Sequence, residues 1–471
     1  MIKSTRKEQI VSASKAILNG LADDGGLYIF DTYPQVDLEK VFDYSYQDLA
    51  TYILNLLLDD YSEEEIKEVI YNAYDEKFDN ESAVGFKQLG SSTILELFHG
   101  PTLAFKDMAL TVLPGLLALA KKKNNVNDET IILTATSGDT GGATLAGFND
   151  REDMKLIVFY PNNGVSSLQE KQMLSFASDK QKVIAYDGNF DDTQNFVKEM
   201  FKKHKYLSSS NSINIGRLVP QIVYYFYGYI NMVKTSQIKM GDEINVCVPT
   251  GNFGNILAAY IAYLMGLKIK NFICASNKNN VLTDFFNTGI YNKKREFFKT
   301  NSPSMDILIS SNLERLLYIF GGSTSDLMKS LNEEGKYQVS KEVFEKMQVF
   351  KSAYMDEKET VDKIKEVFEK ENYLMDPHTA VAYGVYEKVQ DDTPTLIVST
   401  ASPYKFADTI KEALNLKECD EALLEEISKV SKTEIPSVIS KYKKNEKTVW
   451  LKQDVNDNFE KLIKEFGYDK D

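Results

Sequence analysis

Asn245-Val246-Cys247-Val248-Pro249-Thr250-Gly251-Asn252-Phe253-Gly254-Asn255-Ile256-Leu257-Ala258-Ala259 reads as an apolar run of strand length, a glycine-rich turn and the start of an apolar helix. A short strand without polar alternation is buried on both faces, as in a parallel sheet covered by helices. The pattern recurs. Thr130-Ile131-Ile132-Leu133 runs into Thr134-Ala135-Thr136-Ser137-Gly138-Asp139-Thr140-Gly141-Gly142, and Lys155-Leu156-Ile157-Val158-Phe159-Tyr160 into Pro161-Asn162-Asn163-Gly164. Asn271 to Ala275 and Thr395 to Val398 are further buried-strand candidates. Strands alternating with helices predict an α/β fold with mostly parallel sheets flanked by helices. Such folds bind ligands at the carboxyl ends of their strands, where these Gly/Ser/Thr/Asn loops fall.

Outward from this centre the chain is more helical. Leu54, Leu57 and Leu58 share a helical face, Glu63-Glu64-Glu65 opens another helix, and Asp23-Asp24-Gly25-Gly26 turns into Leu27-Tyr28-Ile29-Phe30. A mainly helical N-terminal domain is expected over residues 1–92, the sheet region over 93–410, and a helical segment packing on it over 411–471. Residues 340–371 read as charged helix. A length of 471 residues suits two or three domains. The net charge of −14 argues against nucleic acid or an anionic membrane as partner. Lys121-Lys122-Lys123 reads as a solvated helix end. Cys247, Cys274 and Cys419 form no C-x-x-C, and with three histidines no metal site is expected; the cysteine usage fits a reducing cytoplasm. Lys3, Arg6 and Lys7 stand where a signal peptide needs an apolar core. The uncharged stretch from Ile244 to Leu267 is interrupted at Pro249-Thr250-Gly251-Asn252, so no membrane span is expected.

Several motifs carry chemistry, each with a plainer alternative. Gly251-Asn252-Phe253-Gly254-Asn255 is either a backbone phosphate cradle at a helix start or a simple turn; it lacks a Walker lysine and G-x-G-x-x-G spacing. Ser137 to Gly142 is either a carboxylate-binding loop or a helix capped by Ser137 or Asp139. In a helix, Lys106 has Leu103, Ala109, Leu110 and Leu113 on its face. Desolvation there lowers a lysine pKa and suits a Schiff base or general base, whereas an ordinary lysine snorkels to water. Arg217, after Asn211-Ser212-Ile213-Asn214, is a bidentate phosphate ligand or a surface residue of a capped helix. Asp376-Pro377-His378 reads as a helix start, with His378 a titrating or a packing residue. Ser399-Thr400-Ala401-Ser402-Pro403 sets hydroxyls at the ligand edge or merely turns the chain.

Taken together these motifs resemble the threonine synthases, pyridoxal-phosphate (PLP) enzymes of fold type II, in their longer bacterial and fungal form. Ser4-Thr5-Arg6, Ile17 to Tyr28, Phe98-His99-Gly100-Pro101-Thr102-Leu103-Ala104-Phe105-Lys106-Asp107, Thr134 to Gly141, Asn211 to Asn214, Gly251 to Asn255, Ser311-Asn312-Leu313-Glu314-Arg315 and Pro377-His378-Thr379-Ala380 look like the family's segments. Two positions depart from it: Lys7 where the family commonly has glycine, and Ser402 where it commonly has histidine.

The resemblance implies conversion of O-phospho-L-homoserine and water to L-threonine and phosphate, in the cytoplasm, by a monomer or homodimer. It implies that Lys106 holds PLP and moves protons. Gly251, Asn252, Phe253, Gly254 and Asn255 would cradle the cofactor phosphate, Asp139 would lie near the pyridine 3-oxygen, and Thr400 would face the pyridine nitrogen. Thr136, Ser137, Gly138 and Thr140 would bind the substrate carboxylate, and Asn211, Ser212 and Arg217 its phosphate. A subdomain of about residues 130–225 would close over the site. The rivals are a PLP lyase that stops at a 2-oxo acid, and a PLP-fold protein that binds without turnover.

Overall fold

The computed structural model describes residues 1–7, 10–127, 129–188, 190–204, 207–443 and 445–468. Two sheets carry the fold. The larger has six strands in the order Phe350–Tyr354, Ile269–Ser276, Ile244–Pro249, Thr395–Ser399, Ser92–Glu96 and Gly85–Leu89; only the last pair is antiparallel. The smaller has five parallel strands, Thr448–Trp450, Gln181–Tyr186, Met154–Pro161, Thr130–Ala135 and Leu207–Ser208. We call the regions built on them the large and small lobes.

The strand Ile244–Pro249 is buried along its whole length, as its unbroken apolar run requires. Val246 and Val248 pack into a core that continues through the helices Ile215–Lys234 and Gly254–Leu264 to the N-terminal helices. Cys247, with Ile273 and Ile397 beside it in register, packs on the opposite face against the helix Pro377–Val389. A third core lies outside the small sheet, around Phe159, Phe196 and Phe459.

Several expected boundaries move. The division at residue 92 cuts the antiparallel hairpin of Gly85–Leu89 and Ser92–Glu96, whose second strand pairs with Thr395–Ser399. The N-terminal region adds a three-stranded antiparallel sheet, with Ile2–Ser4 between Ile10–Val11 and Tyr28–Phe30, to its helices. Runs this short carry too little alternation to be read from sequence. Residues 340–371 are not all helical: Phe350–Tyr354 is the edge strand of the large sheet. Residue 225 falls inside the helix Ile215–Lys234, whose side chains belong to the main core. The C-terminal segment divides between lobes. The helix Asp420–Ser431 packs on the large-lobe side, whereas Thr448–Trp450 joins the small sheet and Val455–Glu465 covers it.

The N-terminal motif is tied to the sheet region through an ion pair. Thr5, Arg6 and Thr324 all donate to the Glu314 carboxylate, Arg6 through Nε at 2.9 Å and Nη2 at 3.0 Å. The neighbouring Arg315 is fully buried. Its Nε donates to the Tyr28 carbonyl at 2.7 Å, its Nη2 to the Ile213 carbonyl at 2.6 Å, and its Nη1 to the Asn312 side chain. One guanidinium thus positions the N-terminal sheet against two loops of the site. Among the described residues no helix is long and apolar enough to cross a membrane, and no group of His, Cys, Asp and Glu could hold a metal ion.

His99 clasps the loop leading to Lys106. Its Nδ1 lies 2.7 Å from Asp79 Oδ1 and its Nε2 3.2 Å from Glu96 Oε2. Burial alone would lower its pKa, but the bonds to both carboxylates carry it from 6.5 up to about 9. A histidine with a raised folded pKa contributes its full stability below its unfolded pKa and loses it as pH rises through the folded one. The wild type should therefore exceed His99→Gln by about 1–2 kcal/mol at pH 6, a figure reduced because Asp79 is largely solvated. The gap should close between pH 6.5 and about 9, read from urea unfolding curves across that range.

Candidate active site

The carboxyl ends of both sheets face one cleft lined by Lys106, Thr136, Ser137, Thr140, Asn211, Ser212, Arg217, residues 251–255, Ser304, His378 and Thr400. The structure thus brings most of the singled-out residues together. Asp139 and Gly138 are not in the lining, but Asp139 accepts from Gln169 and bonds to the lining residue Ser304.

Lys106 precedes the short helix Asp107–Leu110 rather than lying within a longer one, because Leu103 has a φ of 60° and breaks the chain there. The expected apolar neighbours Leu103, Ala109, Leu110 and Leu113 are buried, and the ammonium has Ser304, Asp139 and the Phe105 ring beside it. Nζ lies 3.3 Å from Ser304 Oγ and 3.8 Å from Asp139 Oδ2. Desolvation, helped by the charges of Arg217 and Lys405, outweighs the attraction of Asp139 and holds the ammonium down to about 8. The backbone is anchored next door, where Phe105 N–H donates to the Thr400 carbonyl at 2.8 Å. Asp107, pushed up to about 6 by burial, accepts from Thr102 N–H at 2.8 Å and so fixes the approach loop.

Asp139 is nearly inaccessible and is the electrostatic centre of the site. Its Oδ1 accepts from Lys405 Nζ at 2.7 Å and Gln169 Nε2 at 2.9 Å, and its Oδ2 from Ser304 Oγ at 3.0 Å. Burial alone would raise its pKa, but Lys405 and Lys106 hold it well below the usual carboxylate range. His378 Nε2 accepts from Ser304 N–H at 3.2 Å while its Nδ1 is bound to Asp376 at 2.7 Å. This pattern assigns a neutral imidazole with its proton on Nδ1.

The loop after Thr130–Ala135 is capped differently from expectation. Neither Ser137 nor Asp139 caps the helix Asp139–Gly147. Thr136 Oγ1 instead accepts from Gly138 N–H at 2.9 Å and Gly141 N–H at 2.8 Å. Gly138 has a φ of 131°, and a Cβ there would sit 2.6 Å from the Gln169 amide, so only glycine fits.

The 251–255 loop is held from behind. Ser310 Oγ donates to the Gly251 carbonyl at 2.7 Å, and Asn312 N–H and Nδ2 donate to the Asn252 carbonyl at 3.1 and 3.0 Å. Phe253 has a φ of 64° and packs its ring on Phe286 and Phe350, so its contribution to the cleft is backbone. Tyr224 and Tyr225 both donate to Asn255 Oδ1, leaving the buried Asn255 Nδ2 without a partner. A helix start with free N–H groups beside an unpaired amide donor suits an anion.

Arg217 is 3% exposed; among the described residues its guanidinium makes one hydrogen bond, from Nη1 to the Ser210 carbonyl at 2.5 Å, and its buried Nε has none. Burial lowers its pKa to about 10, which leaves it a cation at neutral pH. Asn211 Nδ2 donates to the Ala135 carbonyl at 3.0 Å, which fixes this loop beside the small sheet. The arginine is therefore buried in the site, not on the surface. Pyridoxal phosphate fits what is present: a lysine that readily loses its proton, an anion cradle with an orphaned donor, and a separate buried cation for a second anion.

Reading the sequence singled out neither Ser304, Gln169 nor Lys405. Ser304 lies in an irregular stretch with no periodic signal, Gln169 meets Asp139 through packing of two helices within the small lobe, and Lys405 reaches it only through the packing of the lobes. Lys405 follows the Ser399 to Pro403 segment, whose departure from the family lies at Ser402. That serine donates its N–H to the Leu103 carbonyl at 3.1 Å and starts the turn Pro403–Phe406 that aims Lys405. Lys7 borders a separate open depression with Arg6, Asp24 and Glu333.

Three family models match the chain: pyridoxal-phosphate dependent enzyme over residues 87–401, threonine synthase N terminus over 2–74, and threonine synthase C-terminal over 379–449. The chain is 40% identical over 451 residues to human threonine synthase-like 1, covering 88% of this chain and 60% of that protein. It therefore spans about 60% of the length of the first curated relatives it matches. With the threonine synthase of Saccharomyces cerevisiae it shares 34% identity over 91% of this chain and 93% of that one. The solved structure of PLP-bound threonine synthase from Brucella melitensis superposes with a TM-score of 0.86 at 33% identity, covering 98% of this chain and 99% of that chain.

The two loop glycines should separate in experiment. A Cβ on Gly251 would lie 2.5 Å from the Ser304 carbonyl oxygen, whereas one on Gly254 meets nothing closer than 3.5 Å. Gly251→Ala should lower stability by about 1–3 kcal/mol by displacing the Ser304 turn, and Gly254→Ala by much less, as measured by chemical unfolding.

Proposed function

The chain belongs to the threonine synthase family of pyridoxal-phosphate-dependent enzymes, and from that premise we propose that it converts O-phospho-L-homoserine and water to L-threonine and inorganic phosphate. The observation that carries this reading is the pairing, in one cleft, of a desolvated lysine with two separate anion-binding features, the 251–255 loop and Arg217. A phosphorylated substrate handled by a phosphorylated cofactor needs both. We propose a cytoplasmic enzyme acting as a monomer or homodimer, in keeping with unpaired cysteines.

Lys106 would carry the cofactor, residues 251–255 would hold its phosphate, Asp139 would stand near its ring oxygen and Thr400 would face its ring nitrogen. When bound, pyridoxal phosphate supplies an electron sink beside the substrate's α-carbon. Lys106 Nζ takes and returns protons at the α- and β-carbons, a task suited to an amine that titrates near the working pH. Arg217, Asn211 and Ser212 bind the phosphate that leaves the γ-carbon, with the guanidinium interaction strengthening as charge builds on the departing oxygen. Ser137 and Thr140, which line the cleft, orient the substrate carboxylate; Gly138, expected beside them, is outside the lining with its N–H bound to Thr136, and Thr136 shapes the loop through its cap. Closure of the small lobe over the substrate would exclude water until it is required at the β-carbon.

Borohydride treatment of PLP-loaded protein followed by peptide mapping should find the pyridoxyl group on Lys106, and a label on any other lysine would overturn its role. Arg217→Ala should retain PLP but lose about 10²–10³ in kcat/KM for phosphate release from O-phospho-L-homoserine, with Arg217→Lys recovering only part. Near-normal kinetics in the alanine variant would remove Arg217 from the substrate site. In the wild type the product should be threonine; 2-oxobutanoate would indicate the lyase alternative, and no turnover the binding-protein alternative.

A further inference from the structure

Two buried lysines share the carboxylate of Asp139, and they are held very differently. Lys405 Nζ has three acceptors: Asp139 Oδ1 at 2.7 Å, the Thr102 carbonyl at 2.7 Å and Gln172 Oε1 at 3.3 Å. Three N–H donors and three acceptors leave this ammonium fully satisfied. Among the described residues Lys106 Nζ has as polar partners only Ser304 Oγ at 3.3 Å and the more distant Asp139 Oδ2 at 3.8 Å, with the Phe105 ring 5.0 Å away. With both lysines charged, the trio carries one excess positive charge. Removing a proton from Lys106 leaves a neutral Asp139–Lys405 pair. Removing it in the absence of Lys405 would strand a buried carboxylate, which is strongly unfavourable.

We propose that Lys405 is the standing counter-ion of Asp139, a positioning residue that keeps this carboxylate compensated whenever Lys106 is neutral and thereby lets Lys106 give up its proton. The inference rests on Lys106 being the lysine that works in the reaction. The other charged or titratable groups facing the pair are Arg217 from the helix Ile215–Lys234, His378 from Pro377–Val389, Asp107 beside Lys106, and the Tyr442 hydroxyl bound to Gln172. Among the described residues none of these is hydrogen-bonded or ion-paired to Asp139, as Lys405 is. Gln169 and Ser304 add neutral donors, so among the described residues the one other cation beside this carboxylate is Lys106, 3.8 Å from Oδ2.

The test measures Lys106 itself in the full-length, PLP-free protein. Acetic anhydride labels neutral amines, and mass spectrometry of the Lys106 peptide across pH gives its titration midpoint. The wild type should be half-titrated near pH 8. In Lys405→Met, Asp139 has Lys106 as its only cation, so the midpoint should rise by at least about one unit and labelling at pH 8 should fall several-fold. Lys405→Arg should keep the wild-type midpoint, and Asp139→Asn combined with Lys405→Met should bring it back to the wild-type value or below. A folded Lys405→Met with an unchanged or lower midpoint overturns the proposal. Should that variant fail to fold, restoration of folding by the added Asp139→Asn supports charge compensation, and failure to restore it overturns the proposal. Labelling needs no cofactor, so a negative result here is distinct from a borohydride label on another lysine.

Discussion

The ion pair between Asp139 and Lys405 joins the first helix of the small lobe to the turn that follows a central strand of the large one, and both side chains are almost wholly out of water. A carboxylate in that position is tolerated only when its charge and lone pairs are matched. The match draws on both lobes: Gln169 from the small one, Ser304 and Lys405 from the large one. The carboxyl ends of the two sheets are therefore pinned toward each other at one point, and Lys106 occupies the space beside it. Site geometry and lobe arrangement have the same cause.

A second buried cation does comparable work at the rim. Arg315 spreads its donors over carbonyls of the N-terminal sheet and the 211–214 loop, while its neighbour Asn312 grips the carbonyl of Asn252. An arginine serves where a lysine would not, because its donors are fixed in a plane and reach several elements at once. The N-terminal region is thus wired to the 211–214 and 251–255 loops while, among the described residues, contributing no side chain to the cleft.

How much was legible in the sequence follows from where the signal resides. Ile244–Pro249, Thr130–Ala135 and Thr395–Ser399 announce themselves because a strand buried on both faces must be apolar throughout. Phe350–Tyr354, at an edge and half exposed, carries no such run and was hidden among charged helices. The glycine loops and Lys106 were readable as local chemistry. Gln169 and Lys405 were not, since their roles exist only once segments 30 or more residues apart meet; the Thr136 cap is local, but nothing in the residue types sets it apart from Ser137 or Asp139 as the cap. The helix assumed around Lys106 failed for a local reason: Leu103 adopts a left-handed conformation that nothing in its own identity favours.

The order of the strands in the large sheet has a bearing on how the polypeptide is made. Thr395–Ser399 lies between Ile244–Pro249 and Ser92–Glu96, so it bridges a partner made some 150 residues earlier and one made some 300 residues earlier. During synthesis the two halves of that sheet wait with open edges until this strand leaves the ribosome, and the small sheet waits longer still for Thr448–Trp450. At roughly 5–20 residues per second the exposed edges persist for about ten seconds or more. The nascent chain is accordingly most vulnerable to sticking to its neighbours, and most in need of a chaperone, in the interval before its last quarter emerges.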